Sequence, residues 1–102
     1  MKFILSPSAI RDLQSISAYT LQNWGAEQED IYLKGLWKKL AAIQFDPSSF
    51  RLREDLVKGC RSARHEKHVI FFAVHGQTLQ IIRILHVAMD FSSHLTTEDL
   101  LD

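Results

Sequence analysis

HVIFFAVHGQTLQIIRIL, residues 68–85, decides the fold. Val69, Phe71 and Ala73 alternate with Ile70, Phe72 and Val74, and a period of two belongs to a β-strand. Residues 79–85 repeat the pattern, and His75-Gly76-Gln77-Thr78 between the two runs suits a hairpin turn. Both runs are apolar on both faces, so the sheet they build must be covered on one side and at least partly on the other. Upstream, residues 60–64 read as a further strand, with Glu66 in the turn after it.

The N-terminal half changes period. Residues 2–5 read as a short first strand. Ser6-Pro7 is a strong helix start, because the Ser oxygen accepts an orphan backbone N–H and Pro at the first helical position loses nothing. Ile10, Leu13, Ile16, Thr20 and Trp24 recur at steps of three and four, and Gly25 fits a left-handed cap. A second helix begins at once. Glu27, Glu29 and Asp30 complement its N-terminal dipole, and Tyr32, Leu33, Leu36, Leu40 and Ile43 form its apolar stripe. Gly35 inside it costs about 1 kcal/mol relative to Ala, which predicts a close approach, expected against the first helix. Asp46-Pro47 ends the segment. Residues 47–59 read as a loop with one helical turn near 54–57. The chain after His86 reads as irregular, with Thr96 or Thr97 capping a last turn through 98–101. The order is β-α-α-β-β-β. It describes a two-layer α+β domain over residues 1–102, an N-terminal helical hairpin packed on a small antiparallel sheet.

Composition supports one folded domain. The chain has 102 residues, 46% hydrophobic and 24% charged, with 12 basic and 12 acidic side chains. Cys60 is the single cysteine and cannot form an internal bridge, which points to a reducing cytoplasm. The apolar start, residues 3–5, is too short for a signal peptide, and no run approaches the length of a membrane helix. The balanced charge is unevenly spread. Residues 51–83 hold Arg51, Arg53, Lys58, Arg61, Arg64, Lys67 and Arg83 against three acids, whereas residues 84–102 hold four acids and no Lys or Arg. A positive middle and a negative tail suit electrostatic recognition of another molecule, or a solvated strand face with the tail folded over it.

Gly25, Gly35, Gly59 and Gly76 are scattered, so no phosphate-binding loop exists. Cys60, His65 and His68 lack the second pair a structural zinc needs, and positions 65 and 68 on one strand would face opposite sides. No metal or cofactor is expected. The dense constellation is Arg61, Arg64, His65, Lys67 and His68, joined through the sheet to Arg83 and His86. Arg83 interrupts an apolar strand, and a charge there must be paired or reach a wet surface. It pairs with Asp90 or the C-terminal acids, or it contacts an anionic ligand. Cleavage of RNA by its own 2′-OH would need a base, an acid and cations on the developing charge. Arg61, Arg64, Lys67 and Arg83 suit the last role. Tyr19 and Tyr32 lie on the helices, away from the basic strands, which leaves only histidines as the base.

The residues LSPSAIRDLQSISAYTLQNWG (5–25), Tyr32, Leu36 and Leu40, Asp46-Pro47, DLVKGCRSARHEKHVIFFAV (55–74) and IIRILHVAMDFSSHL (81–95) together resemble the ParE toxins of the RelE/ParE toxin–antitoxin superfamily. The resemblance spans almost the whole chain. It implies two helices on a small antiparallel sheet, with Leu5, Leu13 and Trp24 in the core. It also implies a ParD-like antitoxin whose C-terminal segment wraps the toxin, and poisoning of DNA gyrase by binding its cleaved-DNA state without bond-making by the toxin. On that reading Arg61, Arg64, Arg83, His86, Met89 and Asp90 are the gyrase-contact candidates. Trp37 and Phe50, apolar residues without an evident interior place, are candidates for the antitoxin groove. The partners implied are the antitoxin and gyrase, with no membrane and no sequence-specific nucleic acid, and a homodimer of the free chain is left open. Ribosome-dependent mRNA cleavage of the RelE type is the alternative, and the absence of a Tyr beyond position 32 argues against it. A diverged module that only sequesters an antitoxin is the third reading.

Overall fold

Ser6 ends the first strand and starts the first helix, as its position before Pro7 predicts. Its hydroxyl accepts from the Ala9 N–H at 3.0 Å and donates to the Ile82 carbonyl at 2.6 Å. The structure, a computed structural model, describes residues 1–96, 99 and 100. Strand β1 (Lys2–Leu5) leads into helix α1 (Pro7–Trp24), and Gly25, at φ +89°, separates it from helix α2 (Ala26–Phe45). The Ser17 hydroxyl on α1 donates to the Glu29 carboxylate on α2 and ties the helical hairpin together. A 3-10 turn (Pro47–Ser49) precedes β2 (Arg51–Leu52), β3 (Arg61–His65), β4 (His68–His75), β5 (Thr78–His86) and the single turn of α3 (Phe91–His94).

The sheet order is β1-β5-β4-β3-β2, with β1 parallel to β5 and every other pair antiparallel. The helical hairpin covers one face. Ala9, Ile16, Leu36, Leu40 and Ile43 meet Ile70, Phe72, Leu79, Ile81 and Ile84 there. On the other face Val57, Cys60 and Leu95 close over Val69, Phe71, Ala73, Ile82 and Leu85. The two-sided strand pattern thus corresponds to two cores separated by the sheet.

Strand β5 carries a bulge that the alternating pattern hides. Phe71 pairs with Arg83 but Phe72 pairs with Ile81, so Ile82 is an extra residue. Before the bulge Leu79 and Ile81 face the helices; after it Ile84 does. Asp12 on α1 secures the bulge. One carboxylate oxygen accepts from the Ile84 N–H at 2.9 Å and from Arg83 Nε at 2.8 Å, and the other accepts from Arg83 Nη2 at 2.8 Å. Arg83 Nη1 donates to the His94 carbonyl at 2.8 Å. The partner of Arg83 is therefore Asp12, not Asp90 or the C-terminal acids. The pair spans 71 positions of chain, a separation that no local spacing rule reaches.

Other departures have similar causes. Strand β2 has two residues, too few to show a period. The strand expected from residue 60 begins at Arg61, and Cys60 just before it is part of the outer-face core. Helix α3 forms in the segment read as irregular, where Ser92 and Ser93 donate to the Asp90 carboxylate at 2.9 and 2.7 Å. Of the expected last turn, Thr96 and Asp99 are hydrogen-bonded at 3.2 Å, while residues 97, 98, 101 and 102 lie outside the described residues. Ile10 and Trp24 are exposed, and Ala9 takes the place against the sheet expected of Ile10. Trp24 continues the stripe past the packed layer, so it is not a core residue. Gly35 faces strand β3, not α1: a Cβ there would lie 2.5 Å from His65 Cε1.

Two stability measurements test these contacts. Arg83→Ala strands a largely buried carboxylate and should cost about 3 kcal/mol, lowering the thermal midpoint by more than about 10 °C in a domain of this size. A loss below about 1 kcal/mol would show the pair to be dispensable. Gly35→Ala should destabilise by about 1 kcal/mol, because overpacking against the His65 ring outweighs the gain in helix propensity. Adding His65→Ala should restore the midpoint in a double-mutant cycle; additive losses would refute the contact.

Candidate functional site

Strand alternation and the bulge separate the basic residues that the linear sequence groups together. Arg61 and Arg64, three positions apart, leave opposite faces of β3. Arg61, on the helix side, donates to the Phe50 carbonyl at 2.8 Å. Arg64 is exposed on the outer face, its Nε donating to the Glu66 carbonyl at 2.7 Å. Arg83 is held inside by Asp12 and is not a surface cation. His86 and the exposed Met89 share a cavity on the helix side. Asp90 is exposed, and its two serine hydrogen bonds hold its carboxyl below the usual carboxylate range. The six candidates therefore form no single patch.

The two groove candidates also part. The Phe50 ring meets Phe72 edge-on at 5.9 Å and belongs to the margin of the core, so it has an interior place after all. Trp37 is half exposed, with Phe3 at 6.4 Å. Tyr19, Trp24, Ile31 and Phe45 add exposed apolar surface on the helical hairpin. Their signal was present in the sequence as large apolar residues off, or beyond, the packed stripe.

The cavity of about 810 Å³ opens between the tip of the helical hairpin and the β3–β4 turn. Its walls include Tyr19, Trp24 and Met89, and its floor holds Tyr32, His68 and His86. Tyr32 is not remote from the sheet, contrary to its reading as a helix residue away from the basic strands. Its hydroxyl lies 2.5 Å from His68 Nδ1 and 3.3 Å from the His65 carbonyl. His65 and His68 face the same side, because they are cross-strand partners at the end of the hairpin and not neighbours on one strand. The His68 and His86 rings meet edge-on at 5.3 Å. The Ala88 N–H donates to His86 Nδ1 at 3.0 Å, which leaves the neutral ring's proton on Nε2.

Burial sets the protonation of this row. It raises the Tyr32 phenol, with the Lys67 backbone N–H opposing and Glu66 adding to the rise. It pushes His68 down to about 4, reinforced by His86 and His65. At neutral pH the Tyr32 phenol and the His68 imidazole are both uncharged and joined by a hydrogen bond. Cys60 lies across the sheet from these histidines, and burial pushes its thiol up to about 11, far from a nucleophile's range. Among the described residues no three His, Cys, Asp or Glu side chains converge to hold a metal ion.

The depressed His68 makes a pH prediction. Between about 4 and 6.5 the unfolded imidazole binds a proton that the folded one refuses, so stability rises with pH in that window and is lost as pH falls through it. Denaturant midpoints at pH 5 and 7 should differ for the unsubstituted chain and differ less for His68→Gln; equal slopes would refute the assignment.

The comparisons with known proteins agree with this architecture. The family model described as ParE toxin of type II toxin-antitoxin system, parDE, matches residues 3–91. Toxin ParE1 of Caulobacter vibrioides is 36% identical over 91 residues, covering 89% of this chain and 94% of that protein. Toxin ParE1 of Mycobacterium tuberculosis is 30% identical over 95 residues, covering 92% and 97%. Toxin ParE of Escherichia coli is 32% identical over 94 residues, covering 91% of each. A chain in the structure of the chromosomal ParDE system from P. aeruginosa superposes with a TM-score of 0.75 at 24% identity, over 85% of this chain and 96% of that one, and shares the fold. With the family model spanning nearly the whole chain and relatives matched almost end to end, the chain belongs to the ParE toxin family of type II toxin–antitoxin systems.

Proposed function

We propose that this chain is a cytoplasmic toxin that binds DNA gyrase and holds its cleaved-DNA state, and that a ParD-like antitoxin neutralises it. The family match over residues 3–91 carries the reading. The mechanism proposed is binding, not bond-making. Arg83, a cation that a phosphoryl-transfer site would use, is spent on Asp12 and the His94 carbonyl, and Arg61 is turned to the Phe50 carbonyl through Nη1. Arg64, His86, Met89 and Asp90 keep exposed or cavity-facing surface and stay as gyrase-contact candidates. The exposed apolar surface around Trp37 fits the helix of an antitoxin, whose apolar face would cover it. Among the described residues no helix is long and apolar enough to cross a membrane.

One observation favours a second reading. Lys67, His68 and His86 line the same cavity, and two imidazoles with an ammonium are groups that RNA cleavage uses. Purified toxin added to gyrase supercoiling reactions and, in parallel, to translating ribosomes separates the two. Lost supercoiling with intact mRNA is the expected outcome; cut mRNA with normal supercoiling would select the ribonuclease. Trp37→Ala should weaken antitoxin binding by about tenfold or more, as for an interface anchor, at a nearly unchanged thermal midpoint. Unaltered affinity would remove Trp37 from the groove.

A further inference from the structure

We propose that the outer face of the sheet carries a binding site for the phosphodiester backbone of nucleic acid. This goes beyond the gyrase reading and does not depend on it: the chain would touch DNA or RNA directly, without reading its sequence. A hollow of about 390 Å³ lies on that face, bordered by Arg51, Arg53 and Arg64, with the Ser62 hydroxyl, Val87 and the Phe91 ring between them. The three arginines come from β2, the adjoining turn and β3. They converge because β2 pairs with β3 in a register that sets Arg51 opposite Ser62.

The guanidinium groups retain unused donors. Arg64 spends only Nε, on the Glu66 carbonyl, and leaves both terminal nitrogens free to fork onto a phosphate. Arg51 is exposed, and its side chain makes no hydrogen bond among the described residues. Arg53 is the fixed member. Its side chain is only 15% exposed, Asp55 grips it through Nε and Nη2 at 3.0 Å, and it lies 6.0 Å over the Phe91 ring. Asp55 is the opposing charge, so three cations face one anion and the hollow remains positive.

The floor selects among polyanions. Val87 and the part of the Phe91 ring left beside Arg53 and Phe71 present an apolar surface against which a sugar can lie while the arginines hold its phosphates, the combination found where backbone-tracking cations border apolar surfaces. An acidic peptide would satisfy the arginines but leave that floor uncovered.

The test is fluorescence anisotropy of the full chain with a short labelled single strand and with the matching duplex, at rising NaCl. Binding by at least one, with log K falling by roughly 2 to 3 per decade of salt, is the outcome for three phosphate contacts. Preference for one form shows which nucleic acid is the source of the phosphates. Arg51→Ala/Arg64→Ala should weaken binding about tenfold or more and flatten the salt slope by about 1 to 2, while circular dichroism shows the fold intact. Lys34→Ala/Lys38→Ala, which removes equal charge from the helix side, should change little. The proposal fails if neither oligonucleotide binds at low salt, or if the two double variants lose affinity equally. It fails also if polyglutamate binds as tightly as the oligonucleotides with the same dependence on Arg51 and Arg64, which would assign the hollow to an acidic protein.

Discussion

Asp12 and Ser6 hold the two layers together at one point, the bulge of β5. An extra residue in a ladder leaves backbone groups without strand partners, and buried backbone groups must be satisfied. Here the Ser6 hydroxyl takes the Ile82 carbonyl while the Asp12 carboxylate takes the Ile84 N–H. The same serine caps α1, so the start of the helix is positioned by the sheet beneath it. Arg83 then neutralises Asp12 and reaches the His94 carbonyl, which fastens the C-terminal segment to the same point. A helix start, a strand irregularity and a returning tail share one hydrogen-bonded centre.

That centre shapes the surfaces on either side of the sheet. Because the bulge inverts the alternation after Ile81, His86 emerges on the helix side and joins Tyr32 and His68 in the cavity. Leu85 turns to the outer face, where Phe91 and Leu95 fold over it. Arg83, the cation in the middle of the strand, becomes part of the scaffold. On the sheet, the exposed arginines are Arg51 and Arg64, on β2 and β3 at the far edge, beyond the reach of Asp12. The chain's zero formal charge thus coexists with an arginine-rimmed hollow on one face and an aromatic-walled cavity, bordered by one acid and one base, Glu66 and Lys67, on the other.

The legibility of each feature follows the range of the interaction behind it. The Ser6 cap, the Gly25 break, the stripe from Tyr32 to Ile43 and the two-faced strand at residues 69–74 depend on neighbours within a turn or a strand pair, and each lies where the sequence pattern places it. Gly35 was visible as an anomaly, but its partner was not, since His65 is 30 positions away and no local rule connects the two. Tyr32 read as one more apolar helix position. Only the crossing of α2 over the hairpin end brings its hydroxyl to His68. Arg61, Arg64 and Arg83 looked like one patch because a linear string does not show that strand faces alternate or that a bulge turns the rest of its strand over.

By itself the sequence determined the class of the fold and the family, because periodicity, capping residues and family motifs are carried by residues close together in the chain. Tertiary structure alone decided which charges are free. An ion pair such as Asp12–Arg83 removes a cation from the surface through a contact that bridges two layers. Whether a guanidinium is spent or available depends on the register, the bulge and the crossing of helix over sheet, all of them long-range consequences of packing.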